Sequence, residues 1–281
     1  MRPECSFVNS VIAHGRDRPV ALTVAGFDPS SGAGITADLR VFAAHGLYGV
    51  AAITALTVQS TQGVRRVSPV SGPMIRETLD CLADDLEIAG VKIGMLGREE
   101  AVREVAGFLR RAGLPRAGVV LDPVLRSSSG AELLDAEGIR TLREDLLPAV
   151  GWVTPNVEEL AALVGETAGG REAIPGLARR LAMRAPGLNV VVTGGHLEAP
   201  DDFLRTASGV EEWFAGKRVE TTSTHGTGCA FSSALLCRLL AGEGEAEAVR
   251  GAKAFVTRAL EAAVPLGRGK GPVLSGISGA E

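Results

Sequence analysis

Aromatic residues make up only 4% of the 281 positions, with a single tyrosine, and positive charge is not in excess, the formal net charge being -4. Both shortages speak against nucleic acid as a partner. There is no basic face to track a phosphate backbone, and there are few rings on which bases could stack. No apolar run approaches the roughly 20 residues that span a bilayer. The N-terminal MRPECSFVNSVIAHGRDRP has only a short apolar patch broken by polar residues, without the apolar core of a secretory signal. The four cysteines, Cys5, Cys81, Cys229 and Cys237, contain no C-x-x-C pair. Cys229 and Cys237 fall on one predicted helix, roughly 12 Å apart by helical rise, too far for a disulfide. The four histidines show no ligand spacing, which argues against zinc. G-x-x-x-x-G-K-[ST] is missing, which excludes a P-loop kinase. A reducing, cytoplasmic compartment is expected.

What the chain does have is 46% hydrophobic residues arranged in short runs. PVALTVAG (19–26), YGVAAITALTVQ (48–59), AGVKIGML (89–96), AGVVLDPV (117–124), GWVTPN (151–156) and NVVVTGG (189–195) read as strands apolar on both faces. Helical patterns separate them near 34–46, 73–88, 98–112 and 135–147. Such strands belong to a parallel sheet covered by helices, and the alternation predicts a doubly wound α/β domain. DDFLRTASGVEEWFAG (201–216) differs, because two alternating runs flank Ser208-Gly209 and predict an antiparallel hairpin at the sheet edge. Helices at about 227–242 and 246–263 close a single domain over 19–267. The first 18 residues and the Gly-rich 268–281 are expected to be loosely held.

Several stretches carry candidate chemistry. GAGITA (32–37) imitates a dinucleotide fingerprint, yet FDPSS separates it from the strand and the next strand ends in Gln59 instead of an acid. The same loop leaves backbone exposed at the carboxyl edge of the sheet, where α/β proteins bind ligands. Asp38 follows on the helix, either a dipole-favoured acid or a site residue. Gln59 suits the edge of a heterocycle, or simply faces water. Asp122 ends a buried strand, and Asn156 and Glu159 could form a capping box, hold a water-bound Mg²⁺, or do both. STHGTGCAFSS (223–233) places Cys229 behind two glycines where a helix begins. There, unpaired N–H groups and the dipole attract anions and lower a thiol's pKa. Gly228 is expected to be the position where close approach or a positive φ excludes a side chain.

Taken in order, ALTVAGFDPSSGAGITADLRVFAAHGLYGVAAITALTVQSTQGV, VKIGML, VVLDPV, TPNVEEL, TGGHL and STHGTGCAFSSAL resemble the hydroxymethylpyrimidine/phosphomethylpyrimidine kinases of thiamine biosynthesis, in the ribokinase-like superfamily. The resemblance covers roughly residues 20–265. It implies a three-layer α/β/α domain with a mainly parallel sheet, ATP and Mg²⁺ as cofactors, a small-molecule aminopyrimidine alcohol and its monophosphate as substrates, and a homodimer. It also implies that Gly26, Asp38, Gln59 and Met95 contact the pyrimidine. Asn156, Glu159, Thr193 and Gly195 fall on the nucleotide side, with Asp122 and Glu159 toward the metal. Gly226, Thr227, Gly228 and Cys229 match the anion hole, Cys229 standing where the superfamily usually has an Asp base.

Three positions depart from that pattern. Thr193 replaces a usual lysine, Phe27 a usual Ser or Thr, and Ser31 a usual glycine. Competing readings are a pyridoxal kinase of the same branch, a pyrimidine-binding protein without turnover, and a cysteine hydrolase, for which no His–Asp/Glu base pair is identifiable.

Overall fold

A computed structural model describes residues 18–127, 130–195 and 197–277. In chain order the main elements are β1 (Val20–Phe27), α1 (Gly34–Ala44), β2 (Tyr48–Ser60), β3 (Gly63–Pro69), α2 (Gly72–Asp85), β4 (Ile88–Ile93), α3 (Glu99–Ala112), β5 (Val119–Leu121), α4 (Ala136–Thr141), β6 (Trp152–Val153), α5 (Val157–Val164), α6 (Ile174–Arg184), β7 (Asn189–Val192), β8 (Asp202–Arg205), β9 (Glu211–Phe214), α7 (Thr227–Leu240) and α8 (Glu245–Ala262).

The strands form one sheet in the order β3-β2-β1-β4-β5-β6-β7-β8-β9. The six from β2 to β7 run parallel, while β3 at one edge and β8 and β9 at the other pair antiparallel. Consecutive residues of a strand point to opposite faces, so each apolar strand feeds two cores. Leu22, Leu121, Val153 and Val190 pack with α2 to α6, whereas Ala21, Val120, Trp152 and Val191 pack with α1, α7 and α8. This is the expected three-layer α/β/α arrangement.

The hairpin expected within 201–216 is β8–β9, turning through Gly209 with a φ of 93°. Two elements were not legible. β3 follows β2 through a tight turn at Thr61-Gln62 and is only weakly apolar, with Arg65 and Arg66 exposed. α6 carries Pro175 and Gly176 in its first turn, weak helix signals, although proline is well tolerated there.

The Gly-rich end also differs from expectation, because residues up to 277 pack on the body. Val273 and Leu274 are buried, and Arg40 donates to the Leu274 carbonyl at 2.7 Å. The expected loose N-terminal extension lies outside the described residues apart from Arg18. No helix among the described residues is long and apolar enough to cross a membrane.

Candidate active site

The parallel strands all end on the same edge, and nearly every candidate residue lies on it. β1 runs into the loop 28–33, held by Asp28, whose carboxylate accepts from the Ser30 and Ala33 N–H groups and the Ser30 hydroxyl at 2.7–3.0 Å. The same carboxylate lies 2.7 Å from His225 Nε2. Burial pushes the Asp28 carboxyl up, but His225 and the Ser30 groups outweigh it and hold it below the usual range. The substrate-side loop is thereby clamped to the segment that opens α7. Glycines make the contact possible. A Cβ on Gly226, whose φ is 86°, would lie 1.8 Å from the Gly32 carbonyl oxygen, and one on Gly32 would meet the His225 ring at 2.1 Å.

The positive φ expected at Gly228 belongs instead to Gly226. At Gly228 a Cβ would meet nothing nearer than Asp122 Oδ2, at 3.9 Å. Ser31, where the family pattern has glycine, takes a φ of 58°, the one non-glycine in that region among the described residues. This strain explains the family's glycine.

α7 starts at Gly226 with no side-chain cap. Its first turn therefore presents N–H groups and the positive end of a 14-residue helix to the sheet edge. Cys229 sits in that turn, beside Asp122 and the Gly34 N–H, yet its thiol is not acidic. Burial pushes it up to about 12, with Asp122 and Asp38 adding and Lys92 opposing. The expected lowering by the helix dipole is outweighed by desolvation and two carboxylates.

Beneath the thiol lies a charge network that the sequence reading missed. Lys92 is fully buried, with Nζ 2.9 Å from both Asp38 oxygens and 3.9 Å from Asp122 Oδ2. Burial lowers its pKa, but Asp38, Cys229 and Asp122 raise it further, so it stays a cation. Thr23 and Ser233 also donate to Asp38, at 2.6 and 2.8 Å. Asp38 is thus saturated and has no exposed surface. It supports the site from below and does not reach its surface, which corrects its expected place against the pyrimidine. The lysine inside the apolar run VKIGML is the sequence signal for the network.

Asn156 and Glu159 do form the capping box. Glu159 N donates to Asn156 Oδ1 at 2.8 Å and Asn156 N to Glu159 Oε2 at 2.9 Å. Burial and the neighbouring Asp122 push Glu159 up to about 8, against the N–H groups of Asn156 and Leu125. Asp122 is raised too, by burial, with Lys92 opposing and Asp38 adding; Ser232 donates to it at 3.2 Å. Two neighbouring carboxylates at one sheet edge supply hard oxygen donors of the kind a divalent cation takes. No group of three or more His, Cys, Asp or Glu among the described residues could by itself hold a metal ion. The pair therefore fits a Mg²⁺ that keeps most of its waters and takes its remaining ligands from phosphates.

Thr193 is bridged to Asn156 at the adjoining strand ends, and Gly195 beyond it has open space around its Cα. Gly26 and Met95 are neighbours, a Cβ on the glycine falling 3.0 Å from the methionine sulfur. Met95 packs with Ala55 and Leu133 into a small apolar floor. The Gln59 amide reaches His225 Nε2 at 3.1 Å and accepts from Thr57 at 3.2 Å, on the wall of a cleft of about 210 Å³. A His–Asp pair thus exists, invisible in sequence across 197 positions. Its Nε2 faces Asp28 and Gln59, while Cys229 is set against Asp122, so no thiol–imidazole dyad results.

A family model described as phosphomethylpyrimidine kinase matches residues 28–274. The chain is 41% identical over 259 residues to the hydroxymethylpyrimidine/phosphomethylpyrimidine kinase of Rhizobium meliloti, covering 90% of this chain and 96% of that one. Among solved structures it is similar to the phosphomethylpyrimidine kinase of Clostridium difficile, with a TM-score of 0.76 and 31% identity over 86% of this chain and 99% of that one. It is also similar to the pyridoxal kinase of Staphylococcus aureus in complex with AMP-PCP and pyridoxal. There the TM-score is 0.82, with 26% identity over 92% of this chain and 94% of that one.

Proposed function

The chain belongs to the phosphomethylpyrimidine kinase family, and on that premise we propose that it phosphorylates 4-amino-5-hydroxymethyl-2-methylpyrimidine and then its monophosphate with ATP, in the cytoplasm, for thiamine biosynthesis. The observation that carries the reading is the meeting of the uncapped N-terminus of α7 with the raised Asp122 and Glu159 carboxylates at one sheet edge.

The ring rests on the Met95 floor against the bare backbone of Gly26, with Gln59 toward its polar edge. The N–H groups of Thr227, Gly228 and Cys229 receive the phosphoryl oxygens, whose charge grows in the loose transition state. The substrate oxygen forms the new P–O bond as the bond to the β-phosphate oxygen breaks and ADP leaves. The alcohol's proton passes late to an oxygen of the phosphoryl group being transferred, as a loose transition state permits, because the Cys229 thiol, pushed up to about 12, already carries its own proton. Magnesium, held through waters by Asp122 and Glu159, would neutralise the phosphates of bound ATP. Thr193 supplies no charge on the nucleotide side, so the helix N-terminus carries more of that task.

A homodimer is part of this reading, supported by Leu56 and Val58, which lie exposed on one face of β2; light scattering in solution tests it. Coupled assays with ATP and Mg²⁺ on the pyrimidine alcohol, its monophosphate and pyridoxal test the activity. Turnover of both pyrimidines and slow or absent turnover of pyridoxal is the expected result; the reverse order overturns the assignment.

A further inference from the structure

Lys253 stands in α8 between the buried Ala252 and Phe255, and its side chain is only 16% exposed. A lysine sunk that far needs partners for its ammonium. It finds them at the loop that follows β7. Nζ donates to the Pro200 carbonyl at 2.6 Å and lies 2.9 Å from Asp202 Oδ2. Asp202 is buried in its turn, and burial pushes its carboxyl up while Lys253 opposes the rise. The other oxygen, Oδ1, accepts from Gly194 N at 2.9 Å. One ammonium on α8 thus holds, through one carboxylate, the backbone just past the end of β7. The approach is close enough to demand glycine twice. A Cβ on Gly194 would fall 1.8 Å from the Asp201 carbonyl oxygen, and one on Gly216 would fall 2.0 Å from that of Pro200 and 2.9 Å from Lys253 Nζ. The adjoining Asp201 is engaged elsewhere, with Arg171 at 3.0 Å and Gly216 N at 2.9 Å.

The order of the sheet gives this tie its meaning. At the carboxyl edge β5, β6 and β7 are neighbours, followed in the chain by Asp122, Asn156 and Thr193. Thr193 N donates to Pro155 O at 2.9 Å, and Thr193 is bridged to Asn156, the cap against which Glu159 is set. With the transferred phosphoryl group at the N-terminus of α7 beside Asp122, the rest of the triphosphate runs past Asn156 toward Thr193 and Gly194. Thr193 brings a hydroxyl and no charge. At this end the nucleotide is therefore met by that hydroxyl and by backbone, and both depend on where the chain is held. Gly26, Gln59 and Met95 belong to the ends of β1, β2 and β4, on the other half of the edge.

We propose that Lys253 is a positioning residue for the nucleotide: acting through Asp202, it fixes Gly194 and the adjoining Thr193, and so sets the affinity for ATP but not for the pyrimidine. The inference rests on the kinase reading and adds to it a residue, outside the site, that serves one of its two substrates.

The experiment compares the parent with Lys253→Met, Lys253→Arg and the double variant Lys253→Met/Asp202→Asn. The double variant removes the carboxylate charge that the single one strands, and keeps an oxygen able to accept from Gly194 N. Binding of Mg·ADP and of the pyrimidine alcohol is measured separately by calorimetry, with melting temperatures and steady-state kinetics. Lys253→Met should raise the Kd of Mg·ADP and the KM for ATP about tenfold, the scale of a small displacement of a binding group. Affinity for the pyrimidine and turnover at saturating ATP should stay near the parent's. Lys253→Arg should recover most of the loss. The double variant should melt closer to the parent than Lys253→Met does, yet keep the weakened nucleotide binding, a split that a merely structural role would not produce. Equal weakening of both ligands, or nucleotide binding that recovers in step with the melting temperature, would reduce Lys253 to a stabilising contact and overturn the proposal. Unchanged Mg·ADP binding by Lys253→Met, or by the double variant where the single one does not fold, would overturn it too. A parent that binds no Mg·ADP overturns instead the kinase reading on which it rests.

Discussion

Lys92 and Asp38 form an ion pair with no exposed surface, Nζ lying 2.9 Å from each carboxylate oxygen. Such a pair is dear to form and dearer to break, because removing one partner strands the other charge in a medium that cannot solvate it. Here the stranded charge would be double, since Asp122 stands 3.9 Å from the same ammonium. Lys92→Met should lower unfolding free energy by about 3–5 kcal/mol in urea denaturation, the range for a broken buried pair. Adding Asp38→Leu should recover much of it. A single variant as stable as the parent would mean that the carboxylates take up protons at little cost.

Glu159 offers a test through protons. Its carboxyl, ordinarily near 4.5, is pushed up to about 8, so near pH 7 much of it is protonated in the free enzyme. An acid raised in the folded state holds more protons there than in the unfolded chain between those two values, so its contribution to stability falls as pH rises from 4.5 to 8. Glu159→Gln keeps the capping box and removes the titration. The melting temperature of the variant should gain on the parent's as pH increases through that window. Binding of Mg·ATP should expel a proton from the parent near pH 7, seen as a buffer-dependent calorimetric enthalpy, and expel less from the variant. Identical proton release would place the cation elsewhere.

The thiol of Cys229 should be quiet. Held near 12, it is almost wholly protonated at pH 7.5, whereas Cys81 lies exposed. Iodoacetamide at that pH should label Cys81 first, and Cys229 only as the pH is raised far into the alkaline range. Cys229→Ala should lower turnover by less than the roughly 10²-fold that loss of a general base costs, because a thiol that keeps its own proton cannot serve as one. Rapid labelling of Cys229 at neutral pH would reverse the assignment of a neutral thiol.

The parallel strands were legible because each is a short apolar run ended by a turn signal, a local property. The edge hairpin was legible for the same reason. β3 was not, since an edge strand beside solvent needs no apolar face and Arg65 and Arg66 hide its alternation. In the site, residues whose chemistry is local were placed well: Asn156 with Glu159, and Gly226 at the start of α7. What depended on tertiary approach was not. Asp38 read as a helix-start acid, and only the meeting of β4 with α1 shows that it is spent on Lys92. The His225–Asp28 pair spans most of the chain, and no spacing rule could find it. The pKa of Cys229 was misjudged because the dipole is written in the local sequence while the burial and the two carboxylates are not.

Two glycines of one loop should fail in different ways. Gly226 has a positive φ and abuts the Gly32 carbonyl, so Gly226→Ala must both strain the backbone and push the substrate loop away. Its melting temperature should fall, and the KM for the pyrimidine should rise. Gly228 lies inside the first turn of α7 in open space, where a Cβ meets no protein atom closer than 3.9 Å. Gly228→Ala should fold as well as the parent, alanine being the better helix former. The added methyl would instead occupy the ground where phosphoryl oxygens approach the N–H groups. Losing one such donor typically costs about 10²–10³-fold in turnover. Thermal melts and single-turnover phosphoryl transfer at saturating ATP separate the two effects. A Gly228→Ala enzyme that is both stable and fully active would remove the α7 N-terminus from the reaction and leave the phosphoryl group to be stabilised by other groups at the sheet edge.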